Sequence, residues 1–129
     1  MSDLDLSALR KAADSLEDIL RQPLNPYIRD GVIQRFELTF ELTWKTMQRA
    51  LKLGGVETGS ARQVFRAAHK AGYLDDVPAW MGFLASRNLT THTYNEATAD
   101  EVYQAAARFP SFARQVIAKL EVEWAAPDA

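Results

Sequence analysis

The segment RNLTTHTY, residues 87–94, carries side chains that could act on a phosphate group. The imidazole of His92 can exchange a proton near neutral pH, and the guanidinium of Arg87 can stabilise charge that develops on phosphate oxygens. This pair suits phosphoryl-group chemistry on RNA, because the 2′-hydroxyl of RNA supplies the nucleophile and no metal ion is required. The alternative interpretation is structural, with Arg87 capping carbonyls at a helix C-terminus and His92 in a polar loop.

The spacing of the two residues limits what one chain can do alone. If the fourth predicted helix continues to His92, Arg87 and His92 lie about 140° apart around the helix axis, so only long side chains could converge on one phosphate. A single histidine in this segment is also too few for a separate acid and base. A two-fold dimer would bring two copies of the segment together.

A second group of charged residues lies on the longest predicted helix. Glu37, Glu41 and Lys45 follow one another at intervals of four residues, which places them on one helix face. This face is either solvated or the edge that meets a partner chain. Two carboxylates at this spacing can hold a metal ion in a helical bundle, but the matching Glu-x-x-His elements are absent. His69, near a helix C-terminus, is interpreted as a structural or surface residue.

The composition narrows the class of protein. The chain has 129 residues, 47% of them hydrophobic and 25% charged, with a net charge of −2, which is typical of one globular domain. Without a global basic field, any RNA contact has to be local. With two histidines, no cysteine and no glycine-rich phosphate loop, we predict no metal site and no cofactor. No apolar stretch is long enough to span a bilayer, so we expect no membrane association and a cytoplasmic location.

The hydrophobic spacing predicts helices throughout. The longest extends to Gly54 and Gly55, and its core stripe consists of Val32, Phe36, Phe40, Trp44, Met47 and Leu51, widened by Ile33, Leu38 and Leu42. A short third helix begins at Ser60, with Gln63 completing a capping box, and ends at Gly72. A fourth begins at Asp75 or Asp76, with Pro78 in its first turn, and it carries Trp80, which we interpret as a core residue.

The last predicted helix begins at Thr98, with Glu101 completing its capping box, and continues through Pro110 with a kink. The pattern as a whole predicts an all-α, antiparallel, up-and-down four-helix-type bundle with a short extra helix and a kinked last helix. Residues 1–124 are predicted to form this single domain, and residues 125–129 a loose tail.

The motif R-x4-H-x-Y, formed by Arg87, His92 and Tyr94 with the polar Asn88 after the arginine, resembles that of HEPN-domain proteins. These are all-helical domains usually encoded beside a minimal nucleotidyltransferase (MNT). Nearly the whole chain is similar to the nucleotidyltransferase substrate-binding branch of that superfamily. The segments that carry this similarity are RDGVIQRFELTFELTWKTMQRAL, SARQVFRAAHKAGYLDD and RNLTTHTYNEATADEVY.

The resemblance implies a bundle that pairs with a separate small nucleotidyltransferase chain, as a homodimer or heterotetramer and as half of a toxin–antitoxin-type pair. In active HEPN toxins the arginine and histidine form a metal-independent ribonuclease site at the dimer interface. Arg87 would then stabilise phosphorane-like charge, His92 would act as acid or base, and Asn88 would orient the substrate or the arginine. In related pairs the nucleotidyltransferase adds adenylate to the motif tyrosine, which is Tyr94 here.

The sequence is therefore compatible with three hypotheses about function. The first is a partner and substrate-binding subunit of a nucleotidyltransferase, whose contact face includes Glu37, Glu41 and Lys45. The second is an endoribonuclease that adenylylation of Tyr94 silences. The third is a helical adaptor without chemistry. The mild acidity of the chain and its similarity to the substrate-binding branch favour the first.

Overall fold

The computed structural model describes residues 4–124, and all of its regular secondary structure is helical. The elements are α1 (Ser7–Leu20), α2 (Pro26–Leu53), α3 (Ala61–Ala71), α4 (Val77–Asn88), a 3₁₀ turn (Thr90–His92) and α5 (Glu96–Glu123). The predicted all-α class is therefore confirmed. The tail predicted for residues 125–129 lies outside the described residues. Across residues 4–124, every helix is too short or too polar to cross a membrane.

Helix α1 packs against α2 with the opposite chain direction. The Thr39 hydroxyl of α2 lies 3.1 Å from the Ala12 carbonyl oxygen, and Arg35, one turn earlier on α2, donates to the carbonyl of Ser15 at 2.9 Å. Helix α5 is also antiparallel to α1, as the ion pairs between them demonstrate: they join Arg10 to Glu121 and Arg114 to Glu17, both at 2.6 Å. Three long helices thus form the frame that carries the shorter ones.

The centre of the bundle is a cluster of buried aromatic rings that attaches α4 to its neighbours. Trp80 of α4 lies within 5.4–6.4 Å, between ring centroids, of rings from α2, α3 and α5. Phe83, one turn further along α4, packs against Phe109 at 5.0 Å. Trp80 is therefore a core residue, as the sequence predicts. Because these two rings fix α4, they also position Arg87 near its end.

Local signals set most of the helix boundaries. The Ser60 hydroxyl accepts a hydrogen bond from the Gln63 backbone amide at 3.2 Å, and Gly72 ends α3 with a φ of 85°, as predicted. Asp76 caps α4 by accepting from the Ala79 amide at 3.0 Å. The prediction that one helix continues through Pro110 is also confirmed, because α5 is continuous there and the proline is buried.

Two predictions about the long helices are wrong. Helix α5 begins at Glu96 rather than at Thr98, because the side chain of Asn95 accepts from the Thr98 amide at 3.2 Å and starts the helix earlier. Leu38 does not widen the core, since it lies on the open face of α2 and is 57% exposed. The buried face of α2 instead includes three threonines, at positions 39, 43 and 46, whose hydroxyls bond to carbonyls one turn back.

Candidate functional site

The motif RNLTTHTY spans three local structures rather than one helix. Arg87 and Asn88 are the last two residues of α4, His92 ends the 3₁₀ turn, and Tyr94 lies just before α5. The possibility that α4 continues to His92 is thus wrong. The Leu89 amide bonds to the Ser86 carbonyl at 3.1 Å, which tightens the chain into the 3₁₀ turn. The 140° separation of Arg87 and His92 on one helix therefore does not apply.

Arg87 contacts carboxylates of α2 and not the carbonyls at its own helix end. Its Nε donates to Oε1 of Glu41 at 2.9 Å, and its terminal nitrogen lies 3.6 Å from Oε2 of Glu37. The Thr90 hydroxyl lies 2.9 Å from the same Glu37 oxygen and 2.8 Å from the Arg87 carbonyl oxygen. Since a hydroxyl has one proton, Thr90 donates to one of these acceptors at a time. The interpretation of Arg87 as a carbonyl cap is therefore wrong.

The structure joins two groups of candidate site residues that are distant in the sequence. Lys45 of α2 lies 3.7 Å from Oε2 of Glu41, whose other oxygen binds Arg87. Glu37, Glu41 and Lys45, expected at a partner interface, and Arg87, expected at a catalytic centre, thus form one ion-pair network. We call these four residues, together with Thr90, the α2–α4 charge cluster. Arg87 is 29% exposed within it, so solvent and ligands can still reach the guanidinium.

His92, at the end of the 3₁₀ turn, and Tyr94, two residues later, lie together on the surface. Their rings are 6.1 Å apart between centroids and inclined at 71°, and Tyr94 is 83% exposed. Within residues 4–124, no hydrogen bond or ion pair joins His92 to Arg87, and the exposed Asn88 side chain bonds to neither. One chain therefore brings Arg87 to the α2 glutamates and His92 to Tyr94, but it does not join the two pairs directly.

Arg29, which sequence reasoning missed, attaches the other end of the segment that links α4 to α5. Its guanidinium lies 2.6 Å from Glu96, the first residue of α5, and 3.5 Å from Asp100, and the arginine side chain is only 11% exposed. Hydrogen bonds from Arg29, and its charge, hold the pKa of Glu96 below the ordinary value. No local pattern reveals this pair, because Glu96 lies 67 residues after Arg29.

The segment between α4 and α5 is therefore fixed at both ends to the same helix. Thr90 and Arg87 contact Glu37 and Glu41 at one end, and Glu96 contacts Arg29 at the other. His92 and Tyr94 lie between these two attachments. The exposed pair is thus presented by a short segment whose ends are positioned by α2.

A shallow groove opens beside the α2–α4 charge cluster. It has a volume of about 460 Å³ and is lined by residues of the outer face of α2, namely Gln34, Arg35, Glu37, Leu38 and Glu41. The two glutamates thus face Arg87 on one side and open space on the other. Among residues 4–124, no three histidine, aspartate or glutamate side chains are arranged to hold a metal ion.

Comparison with known proteins reveals similarity over nearly the whole chain. Residues 4–122 match the family model described as nucleotidyltransferase substrate binding protein like. A protein of Haemophilus influenzae named probable ribonuclease HepT is 33% identical over 78 residues, which covers 57% of this chain and 53% of that protein. The match therefore spans about half the length of that relative.

Two solved structures have the same fold. A protein from Thermus thermophilus is 34% identical, with a TM-score of 0.82 over 87% of this chain and 98% of that one. HI0074 from Haemophilus influenzae is 27% identical, with a TM-score of 0.82 over 91% and 99% of the two chains. The structure of HI0074 is described as revealing the fold of a substrate binding domain of a nucleotidyltransferase.

Proposed function

The chain belongs to the nucleotidyltransferase substrate binding protein-like family, and on this premise we propose that it is the helical partner and substrate-binding subunit of a separate small nucleotidyltransferase chain. The observation that carries the proposal is the extent of the family match, from residue 4 to residue 122. The similarity to HI0074, described as the fold of a nucleotidyltransferase substrate binding domain, supports it.

The outer face of α2 is the surface that we assign to the nucleotidyltransferase. It exposes Leu38 in the middle of a long helix, beside the groove and next to Glu37, Glu41 and Lys45. An exposed leucine bordered by charged side chains is typical of the apolar centre and polar rim of a protein interface. Association is tested by expressing the chain together with the nucleotidyltransferase encoded beside it. We expect the two to purify together, and Leu38→Glu to weaken the complex; separate elution of the wild-type chains contradicts the proposal.

Tyr94 is the residue that we propose as the acceptor of adenylate. Its phenol is exposed at the surface, where the active site of a second chain can reach it. In this step the Tyr94 oxygen attacks the α-phosphorus of ATP, a phosphodiester bond to adenylate forms, pyrophosphate leaves, and the phenol proton passes to solvent. The added anion would lie beside His92 and oppose the approach of an RNA phosphate.

Intact-mass measurement after incubation with ATP, Mg²⁺ and the nucleotidyltransferase tests this assignment. Tyr94→Phe should abolish the mass gain, whereas Tyr27→Phe should retain it. Tyr27 is a matched control because it is 88% exposed, compared with 83% for Tyr94. A mass gain that survives Tyr94→Phe contradicts the choice of tyrosine but not the association of the two chains.

The similarity to the protein named probable ribonuclease HepT favours a second candidate function, that of a metal-independent endoribonuclease. Arg87 would stabilise the charge on the phosphorane-like intermediate, His92 would act as general acid or base, and Asn88 would orient the substrate or the arginine. Because Arg87 and His92 are not in direct contact within one chain, we propose that a homodimer joins two copies of the segment. Two nucleotidyltransferase chains would complete a heterotetramer.

Cleavage of RNA in the presence of EDTA, by protein whose intact mass proves it unmodified, tests this candidate. His92→Ala should abolish cleavage, and His69→Ala, which changes the other exposed histidine, should not. Cleavage that both variants retain indicates a contaminating nuclease. Solution scattering gives the oligomeric state, and a strict monomer that still cleaves would contradict the role of the dimer.

A further inference from the structure

The guanidinium of Arg87, which the proposed function assigns to a ligand phosphate, already contacts two carboxylates of α2. Glu41 accepts from Nε of Arg87 at 2.9 Å, and Glu37 lies 3.6 Å from a terminal nitrogen of the same group. Carboxylate and phosphate bind arginine through the same planar arrangement of N–H donors. A phosphate that approaches Arg87 must therefore displace these glutamates or share the guanidinium with them.

The two glutamates are themselves held in place. The Thr90 hydroxyl lies within hydrogen-bond distance of Glu37, at 2.9 Å, and Lys45 lies 3.7 Å from Glu41. The side chains of Arg87 and Glu41 are about equally exposed, at 29% and 28%, so water screens their attraction only in part. Arg87 is therefore oriented by a contact at 2.9 Å that solvent, and with it a dissolved anion, can still reach.

We infer that Glu41, assisted by Glu37, is a positioning residue for Arg87 that also limits its affinity for phosphate. In the free chain, Glu41 and Glu37 hold Arg87 on α2, and their negative charges compensate its positive charge. A ligand phosphate experiences the full attraction of the Arg87 charge only when the two carboxylates move away from the guanidinium. This inference rests on the proposed function in one respect, namely that Arg87 is a contact for the phosphate of a ligand.

Glu41→Gln isolates this role, because glutamine keeps the size and an acceptor oxygen of glutamate but removes the charge. The measurement is the Kd of a short fluorescein-labelled single-stranded RNA, by fluorescence anisotropy on the isolated chain. We expect Glu41→Gln to bind about two- to fivefold more tightly than the wild type, the range that a partly exposed ion pair allows. Glu57→Gln makes the same charge change in the segment between α2 and α3, and should leave the Kd unchanged.

A double-mutant cycle separates competition at Arg87 from a general change in charge. In an Arg87→Gln background, Glu41→Gln should no longer tighten RNA binding, because the guanidinium for which Glu41 and the phosphate compete is absent. A gain in RNA affinity that persists in this background overturns the inference. An unchanged or increased Kd for Glu41→Gln alone overturns it too. Undetectable RNA binding by both the wild type and Glu41→Gln overturns it as well.

The same experiment distinguishes the failure of this inference from that of the proposed function. If Arg87→Gln alone does not weaken RNA binding, the assignment of Arg87 to phosphate fails. If Arg87→Gln weakens binding but Glu41→Gln does not tighten it, only the role of Glu41 fails. Urea unfolding of each variant confirms that it folds, and a purely structural ion pair predicts lower stability for Glu41→Gln without any gain in affinity. Association with the nucleotidyltransferase is measured separately, by co-purification.

Discussion

Replacing Trp80 by phenylalanine should weaken the attachment of α4, the helix that carries Arg87. Trp80 is 1% exposed, and its ring centroid lies 5.4 Å from that of Phe109 and 5.5 Å from that of Phe65. The substitution leaves a void of roughly 40 Å³, which costs about 1 kcal/mol at the value measured for core cavities. The apolar surface that is lost adds about 1 kcal/mol. We therefore expect the free energy of unfolding to fall by about 2 kcal/mol.

Urea unfolding followed by far-ultraviolet circular dichroism measures this change without depending on tryptophan fluorescence. The expected fall corresponds to a decrease in Tm of about 8 °C for a chain of this size. Trp44→Phe is the matched control. Trp44 lies on α2 and is only partly buried, so its replacement leaves no enclosed void and should cost less than about 1 kcal/mol.

The result that would refute this reasoning is a Trp80→Phe variant no less stable than Trp44→Phe. It would mean that the surrounding rings close the void or that α4 is held chiefly by other contacts. Hydrogen exchange distinguishes these explanations. If the rings anchor α4, amides from Trp80 to Arg87 should exchange faster in Trp80→Phe, whereas those in the middle of α1 should change only with global stability.

Three further predictions concern the turn after α3, the middle of α4 and the start of α5. Gly72→Ala should lower the free energy of unfolding by about 1 kcal/mol in urea, because its φ of 85° is strained for residues with a Cβ; equal stability would contradict this. Gly82→Ala should instead raise the free energy of unfolding by up to about 1 kcal/mol in the same urea measurement, since an added Cβ meets nothing within 4 Å and alanine favours the helix. Glu96→Gln should reduce the loss of Tm between neutral and acid pH. Because Arg29 holds the pKa of Glu96 below its ordinary 4.5, the wild-type contribution is complete above that value and is lost as the pH falls through the lowered pKa. An unchanged difference in Tm between the two pH values would contradict this last prediction.

The attachment of the segment between α4 and α5 to α2 links the two binding surfaces of the proposed functions. Both ends of the segment contact α2, through Glu41 and Arg87 at one end and through Arg29 and Glu96 at the other. A nucleotidyltransferase that contacts the outer face of α2 would thus touch the residues that orient Arg87. Partner binding and phosphate binding are then coupled through the same carboxylates, and such coupling must act in both directions.

Much of the fold was predictable because its signals are local. The capping box of Ser60 and Gln63, the stop at Gly72 and the helix through Pro110 depend on a few neighbouring residues or on a periodicity of three to four. The first residue of α5 was harder to predict, because asparagine and threonine are both favourable N-cap residues and the preference for Asn95 over Thr98 is small. The exposure of Leu38 could not be predicted, since it depends on which face of α2 its neighbours leave open.

The sequence by itself determined the all-α bundle, the family, and the residue types that could act on phosphate. Periodicity, caps and the R-x4-H-x-Y spacing are properties of adjacent residues, and they persist whatever the rest of the chain does. Only the tertiary structure decided what these residues contact. Arg87 binds Glu41 across 46 residues of sequence, and His92 lies with Tyr94. The physical reason is that the partner of a charged side chain is set by helix packing, which depends on the buried aromatic core and not on spacing along the chain.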